Sequence, residues 1–97
     1  MMPGNKLYSI HYLTVVVDED IPALPKTIRN TIKRAIEERL TVDPIGFGKP
    51  LRYSLKGHRR LRVGDYRIVY RIEQDSGSVL IIAIKHRKDV YESTLGC

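Results

Sequence analysis

Hydrophobic residues recur along the chain at two different spacings, and each spacing predicts a different kind of element. In one segment they recur every three or four positions, as on the buried face of a helix: Ile28, Ile32, Ala35, Ile36 and Leu40. This pattern predicts an amphipathic helix from about 25 to 41, with Pro25 in its first turn. Asp43–Pro44 ends the helix, because the residue before a proline disfavours helical backbone.

Other segments are rich in β-branched and aromatic residues or alternate between apolar and polar positions, and they predict strands. These segments lie at residues 6–12, 58–63, 66–73 and 78–86. Gly64–Asp65 and Asp75–Ser76–Gly77 are turn sequences, so the last three strands should form an antiparallel meander. The final strand contains VLIIAI, which is apolar on both faces and therefore predicts an interior position in the sheet.

Two connecting segments are less regular. In VVVDEDIPAL, residues 15–24, the valines favour extended backbone, whereas Asp18 could cap a short helix before Pro22. PIGFGKP, residues 44–50, has two glycines and two prolines and predicts a loop. The fold class is therefore α+β, one small sheet with its helices gathered on one face.

Length and composition place these elements in a single domain, residues 1–97, with 42% hydrophobic residues. No apolar run reaches the roughly 18 residues of a membrane span, and the N-terminus lacks a signal-peptide pattern. The only cysteine is Cys97, so one chain forms no disulfide, and three scattered histidines predict no metal site. We therefore expect a cytoplasmic protein without a cofactor.

The formal net charge of +6 is carried entirely by the second half of the chain. Residues 1–43 contain six Lys/Arg and six Asp/Glu, whereas residues 44–97 contain eleven and five. Such asymmetry favours an anionic partner, with nucleic acid the first expectation, although a solvated basic surface would have the same composition.

Strand alternation sorts this charge onto one side of the sheet. In GHRRLRVGDYRIVYR, Tyr66, Ile68 and Tyr70 share one face of their strand, while Arg67 and Arg71 share the other. If the apolar faces pack against the helix, the opposite side carries the cations of both strands: His58, Arg60, Arg62, Arg67 and Arg71. Lys85 or Arg87, at the end of the last strand, could join them.

A wall of cations is costly unless an anion compensates it. Two unit charges about 4 Å apart repel by about 4 kcal/mol at a surface-like dielectric constant. Asp65 is the only acid between residues 49 and 71, and it lies in a turn. The missing counter-charge indicates a ligand, and arginine suits phosphate because its planar fork donates two hydrogen bonds.

The segments LKGHRRLRVGDYRIVYRI and VLIIAIKHRKDVYE resemble the signature of the RelE/ParE superfamily of toxins from type II toxin–antitoxin systems. The resemblance covers about residues 6–92 and implies a RelE-like fold, in which a helical hairpin packs against a small sheet. It also implies function. RelE-type members cut messenger RNA in the ribosomal A site without metal, through attack of a 2′-hydroxyl, whereas ParE-type members inhibit DNA gyrase. Both are silenced by a small antitoxin, here expected to be acidic, RelB-like and helical.

The resemblance also implies roles for individual residues. Arg67 matches the arginine that stabilises the phosphate, and Arg60 matches the second lysine of a pair that supplies the general base. Arg87, or Lys85 with a different gap, matches the general acid. Tyr91 matches a tyrosine that helps to place the substrate.

Arginine at position 60 departs from the family pattern, because guanidinium hardly loses its proton. His58, whose ordinary pKa suits proton transfer, is one alternative base, and His86 and Lys56 are two others. Arg62, Arg71, Lys85, His86 and Lys56 are expected to bind RNA. Gyrase inhibition, or nucleic-acid binding without catalysis, stay as alternative functions. Tyr66 and Tyr70 are expected in the core.

Overall fold

The computed structural model describes residues 7–51 and 57–88. Eight elements follow one another along this part of the chain, in the order β1 (Ser9–Tyr12), α1 (Val16–Asp20, π-helical), α2 (Lys26–Ala35, continued by a π-helical segment, Ile36–Leu40), α3 (Pro44–Phe47), β2 (Lys49–Pro50), β3 (Arg59–Val63), β4 (Tyr66–Glu73) and β5 (Ser78–His86). The result is the α+β class predicted from the sequence.

The sheet has five strands in the order β1-β5-β4-β3-β2. β1 runs parallel to β5, and the other neighbours are antiparallel. The predicted meander of the last three strands is confirmed, and β5 is an interior strand as its apolar sequence indicated. Gly64 and Gly77 have φ values of 60° and 64°, which glycine adopts without the steric cost that other residues incur.

The core lies between one face of the sheet and the helices. The sheet contributes six buried side chains: Leu61, Ile68, Tyr70, Val79, Ile81 and Ile84. The helical side contributes Val16, Leu24, Ile32, Ala35, Ile36 and Leu40. The apolar face of α2, which recurs every 3.6 residues, therefore packs on the apolar side of β3 and β4. The other side of the sheet is left for charged residues.

A bulge in β5 allows apolar side chains at both ends of this strand to face the core. Val69 pairs with Ala83 while Tyr70 pairs with Ile81, so Ile82 is an extra residue in β5. The extra residue reverses the alternation at this point. As a result Ile84 and His86 point to the same face as Val79, and Lys85 points to the opposite face.

Two predictions about the connections were wrong in detail. Residues 15–24 contain the helical segment α1, but Asp18 does not cap it, because it lies inside the helix and the N-cap is Val15, which makes no side-chain hydrogen bond. The PIGFGKP segment is not only a loop, because it contains the short helix α3 and the edge strand β2. The predicted first strand is observed from Ser9, and its Lys6 lies outside the described residues.

Polar groups from the sheet hold the α3–β2 segment in place. The Tyr70 hydroxyl donates to the carbonyl of Pro44, and Tyr70 is completely buried. Arg59 Nη2 donates to the carbonyls of Ile45 and Gly48, at 2.8 and 3.1 Å. These long-range bonds satisfy carbonyls that a short helix leaves without intrahelical partners. They fix the position of β2, which has only two residues.

These bonds from Arg59 and Tyr70 form the anchor of the α3–β2 segment, and Gly48 packs tightly against both the Tyr70 side chain and the β3 backbone. A Cβ atom there would overlap the Tyr70 hydroxyl and would lie 3.0 Å from the carbonyl oxygen of Arg60. We expect Gly48→Ala to lower the free energy of unfolding by about 1–3 kcal/mol, as overpacking does in a rigid site. Urea denaturation would measure the change. The exposed Val42→Ala is the matched surface control, and equal stability of the two variants would contradict the anchor.

Tyr70 should also make the stability of the protein depend on alkaline pH. Burial raises the pKa of the Tyr70 hydroxyl above its ordinary 10.0 and Asp43 adds to this, while the neighbouring Arg59 partly opposes it. The native state therefore keeps a proton that the unfolded chain loses, and stability falls as pH rises above about 10.

We expect Tyr70→Phe to lose about 1 kcal/mol at pH 7, through the missing hydrogen bond. It should also show a smaller further loss than wild type between pH 9 and about 11. Urea denaturation at each pH measures both effects. Parallel pH profiles of the two proteins would count against this assignment.

Candidate nucleic-acid interface

The face of the sheet opposite the helices carries a row of basic residues that cross three strands. Arg62 of β3 pairs directly with Arg67 of β4, and Arg67 pairs on its other side with Lys85 of β5. Directly paired residues on neighbouring strands point to the same face. The three cations therefore form one row, which we name the upper row.

A second row lies one step along the same strands. Arg60 pairs with Val69, and Val69 pairs with Ala83. Arg60 and Arg67 are thus diagonal neighbours on a single face, in agreement with the strand alternation in the sequence. Val69 and Ala83 have short uncharged side chains, so this lower row has a basic end and a low apolar floor.

Two of the predicted RNA-binding cations are paired within the protein. Arg71 Nε lies 2.6 Å from Glu73 Oε2, and Lys85 Nζ lies 2.8 Å from Asp20 Oδ1. Within residues 7–51 and 57–88, neither Arg60 nor Arg62 has a carboxylate within 4.0 Å. Fewer cations on this face lack a carboxylate partner than the sequence indicated, and Arg60 and Arg62 are among those that lack one within the described residues.

Asp20 is a site residue that the sequence did not reveal. It is only 5% exposed, and its Oδ2 accepts the backbone N–H of Ile84 at 3.0 Å. β1 ends at Tyr12, opposite Ile81, so the edge of β5 continues beyond its neighbour. Asp20 covers this edge from α1 and holds Lys85 at the same time. The only signal in the sequence is an acidic triplet between apolar residues, which resembles any solvated turn.

His86 does not share a face with the basic rows. Its ring meets that of Tyr66 edge to face, with centroids 5.2 Å apart and an interplanar angle of 85°. Tyr66 packs against the core, and the two rings line a pocket with Asp20 and Glu19 on the helical side. The bulge in β5 is the reason, because it exchanges the faces of Lys85 and His86.

The remaining predicted residues lie at different distances from the rows. The backbone N–H of Arg87 donates to the carbonyl of Asp65 at 2.8 Å, which places Arg87 at the Arg67 end of the sheet. The carbonyl of His58 accepts the N–H of Leu51 at 2.9 Å, so His58 extends the pairing of β2 with β3. Lys56 and Tyr91 lie outside the described residues.

Neither a metal centre nor a membrane span is indicated by the part of the chain that the structure describes. Across residues 7–51 and 57–88, no three His, Cys, Asp or Glu side chains come together as metal ligands would. No described helix is long and apolar enough to cross a membrane.

A family profile described as "ParE toxin of type II toxin-antitoxin system, parDE" matches residues 12–91. The chain belongs to the RelE/ParE toxin superfamily. Among characterised relatives, it is 33% identical over 84 residues to toxin RelG of Mycobacterium tuberculosis, covering 87% of this chain and 95% of RelG. It is 35% identical over 79 residues to toxin RelE of the same organism, covering 81% of each.

A solved structure extends the likeness to the fold. The toxin–antitoxin complex RelBE2 of Mycobacterium tuberculosis has a chain that matches with a TM-score of 0.76 and 31% identity. The match covers 82% of this chain and 98% of that one. The RelE-like sheet and helices predicted from the signature are therefore confirmed, and this RelE/ParE member is a type II toxin.

The contacts of Asp20 predict that the stability of this toxin depends on this one carboxylate. We expect Asp20→Ala to lower the free energy of unfolding by about 2–4 kcal/mol, since it leaves a buried N–H of β5 unsatisfied and removes a buried ion-pair partner. Asp18→Ala, two residues away and exposed, is the matched control. Urea denaturation measures both variants, and equal losses would show that Asp20 contributes no more than a surface acid.

Proposed function

We propose that this toxin is a ribosome-dependent endoribonuclease that cleaves messenger RNA in the A site without a metal ion. The observation that carries the proposal is the placement of Arg60 and Arg67 as diagonal neighbours on one face, beside Arg62. A phosphate in that position would meet several guanidinium groups at once, and guanidinium donates paired hydrogen bonds to phosphate oxygens. The cytoplasm, where ribosomes translate, is the expected location.

The reaction needs only proton transfer and charge stabilisation. A base removes the proton of a 2′-hydroxyl as its oxygen attacks the adjacent phosphorus. The phosphorane gathers negative charge, which fixed cations stabilise more effectively than mobile water does. The bond to the 5′-oxygen then breaks, and that oxygen takes a proton from an acid. The products are a 2′,3′-cyclic phosphate and a free 5′-hydroxyl.

The family resemblance assigns residues to these steps. Arg67 stabilises the phosphorane, with Arg60 beside it, and Arg87 is the proposed acid. Arg87 is exposed and near Asp65 at the same end of the sheet as Arg67, which favours it over Lys85, since Lys85 is held by Asp20. Tyr91 is proposed to orient the substrate. Of the two histidines considered as bases from the sequence, His58 is favoured, because His86 points to the core face.

We further propose an acidic, RelB-like antitoxin as the partner that silences this toxin. The related RelBE2 structure is a toxin–antitoxin complex. On the helical side, an apolar groove of about 370 Å³ is lined by Tyr12, Val17, Ile21, Leu24, Ile32, Ile36 and Ile84. Arg29 and Lys33 also line it, so an amphipathic helix with acidic flanks would match both its apolar floor and its charge.

A gyrase-inhibiting function is the second candidate, and two observations favour it. The matching family profile is that of ParE toxins, and arginine at position 60 replaces the lysine expected of a nuclease. A gyrase inhibitor needs a basic binding surface but no proton transfer. A nucleic-acid-binding relative without catalysis is the third possibility, and the same assays separate all three.

The decisive experiment adds the purified toxin to ribosomes programmed with a defined message and maps cuts by primer extension. We expect Arg67→Ala to lower the cleavage rate constant by about 100-fold or more, because it removes a charge aimed at the phosphorane. Arg34→Ala, on the exposed side of α2, should cleave like wild type.

Gyrase supercoiling is assayed with the same protein preparations. Inhibition of supercoiling with the message left intact would replace the nuclease proposal with the ParE-type function. Inactivity in both assays, together with measurable RNA binding, would support the non-catalytic relative. Wild-type cleavage that Arg67→Ala does not slow would remove Arg67 from the mechanism.

A further inference from the structure

The structure brings an additional lysine to the basic face, beside the arginine that stands in place of the expected catalytic lysine. Lys49 of β2 pairs directly with Arg60 of β3. We propose that Lys49 is the general base that accepts the 2′-hydroxyl proton, an assignment that rests on the ribonuclease function proposed above. It was not among the candidates that the sequence provided, because nothing there predicts that residue 49 belongs to the sheet.

The pairing of β2 with β3 decides which way Lys49 points. Directly opposed residues of antiparallel strands share a face and have Cβ atoms about 4.5–5.5 Å apart. Lys49 therefore extends the lower row, which then contains Lys49, Arg60, Val69 and Ala83 in order across four strands. Lys49 is exposed, and no carboxylate among the described residues lies within 4.0 Å of it. Its amine can therefore reach a bound nucleotide.

The anchor of the α3–β2 segment gives Lys49 a defined place. Two contacts hold Gly48 in place: its carbonyl accepts a hydrogen bond from Arg59, and its backbone packs directly against the Tyr70 hydroxyl. Both side chains come from the core face of the sheet, one strand and two strands away. A lysine on a two-residue edge strand would otherwise sample many positions. Here the backbone before it is fixed by buried groups, as a catalytic side chain requires.

The chemistry distinguishes Lys49 from its arginine neighbours. A general base must first be neutral, and an amine reaches its neutral form far more readily than a guanidinium group does. In the proposed step the neutral Lys49 amine takes the 2′-hydroxyl proton while the 2′-oxygen forms its bond to phosphorus. Arg60 and Arg67 hold the phosphate oxygens. The 5′-oxygen leaves with a proton from the acid, and Lys49 afterwards releases its proton to water.

The low floor of the same row provides space for the substrate. Val69 and Ala83 continue the row beyond Arg60 and rise less above the sheet than arginine or lysine does. A nucleotide lying there would have Lys49 and Arg60 at one end and Arg67 on the diagonal. Neither His86, which points to the core face, nor Lys85, which Asp20 binds, is as well placed to act as a base in this row.

Two substitutions separate proton transfer from simple charge. Lys49→Arg keeps the positive charge but cannot act as a base at neutral pH, whereas Lys49→Ala removes both properties. Lys26→Arg and Lys26→Ala, at the exposed start of α2, are matched controls. The assay uses programmed ribosomes saturated with toxin, so that the single-turnover rate constant reports chemistry, and a separate titration measures binding to the same ribosomes.

We expect Lys49→Arg and Lys49→Ala each to lower the single-turnover rate constant by about 100-fold or more, the usual effect of losing a general base. Lys49→Arg should bind ribosomes within about twofold of wild type. Both Lys26 variants should cleave like wild type. Thermal unfolding should show unchanged midpoints for all four variants, because both lysines are exposed.

Other outcomes would overturn the assignment in distinguishable ways. If Lys49→Arg cleaves as fast as wild type while Lys49→Ala is slow, Lys49 contributes charge and is not the base. If both variants are fast, Lys49 has no part in the reaction and His58 becomes the leading base. If wild-type toxin leaves the message intact, the ribonuclease function itself fails, and the role of Lys49 fails with it.

Discussion

The pairing of β3 with β4 is the constraint on which the rest of this toxin depends. It sets Leu61 opposite Ile68 on one face and Arg62 opposite Arg67 on the other. A shift of one residue would exchange these faces, burying arginines and exposing the core. The apolar face fixes the register through the hydrophobic effect, and the placement of the basic residues on the other face follows from that register. Directly opposed like charges in fact destabilise a sheet.

Ion pairs within the protein decide which cations remain available on that face. Arg71 is paired with Glu73, and Lys85 is paired with the buried Asp20. Both pairs lie towards the β5 side of the sheet, at the ends of β4 and β5. The arginines of β3 have no such partners among the described residues. An anionic ligand is therefore expected over β3 and its neighbours rather than across the whole sheet.

The sequence predicts those parts of the fold that depend on local pattern. The bounds of β4 and β5 were predicted to the residue, and those of β3 and α2 to within one residue. Alternation, helical spacing and turn glycines can each be recognised within a short run of consecutive residues. The α3–β2 segment was not predictable, since contacts from Arg59 and Tyr70, 11 to 26 residues away, hold it. The bulge at Ile82 was missed for a similar reason. It leaves Lys85 on the basic face, as expected, but turns His86, which was expected to bind RNA, to the core face.

These long-range features matter most where the branches of the superfamily differ. Arginines that hold an anion would serve a nuclease and a gyrase inhibitor equally well, and the RRLRVGDYR segment, residues 59–67, carries them. A nuclease needs in addition a side chain that can lose a proton beside that anion. Lys49 is such a group: it pairs directly with Arg60, and the anchored edge strand supplies it from a different segment of the chain. The signature in β3, β4 and β5 therefore identifies the superfamily, whereas a nuclease branch, as we propose it, also depends on the residue that β2 places beside Arg60.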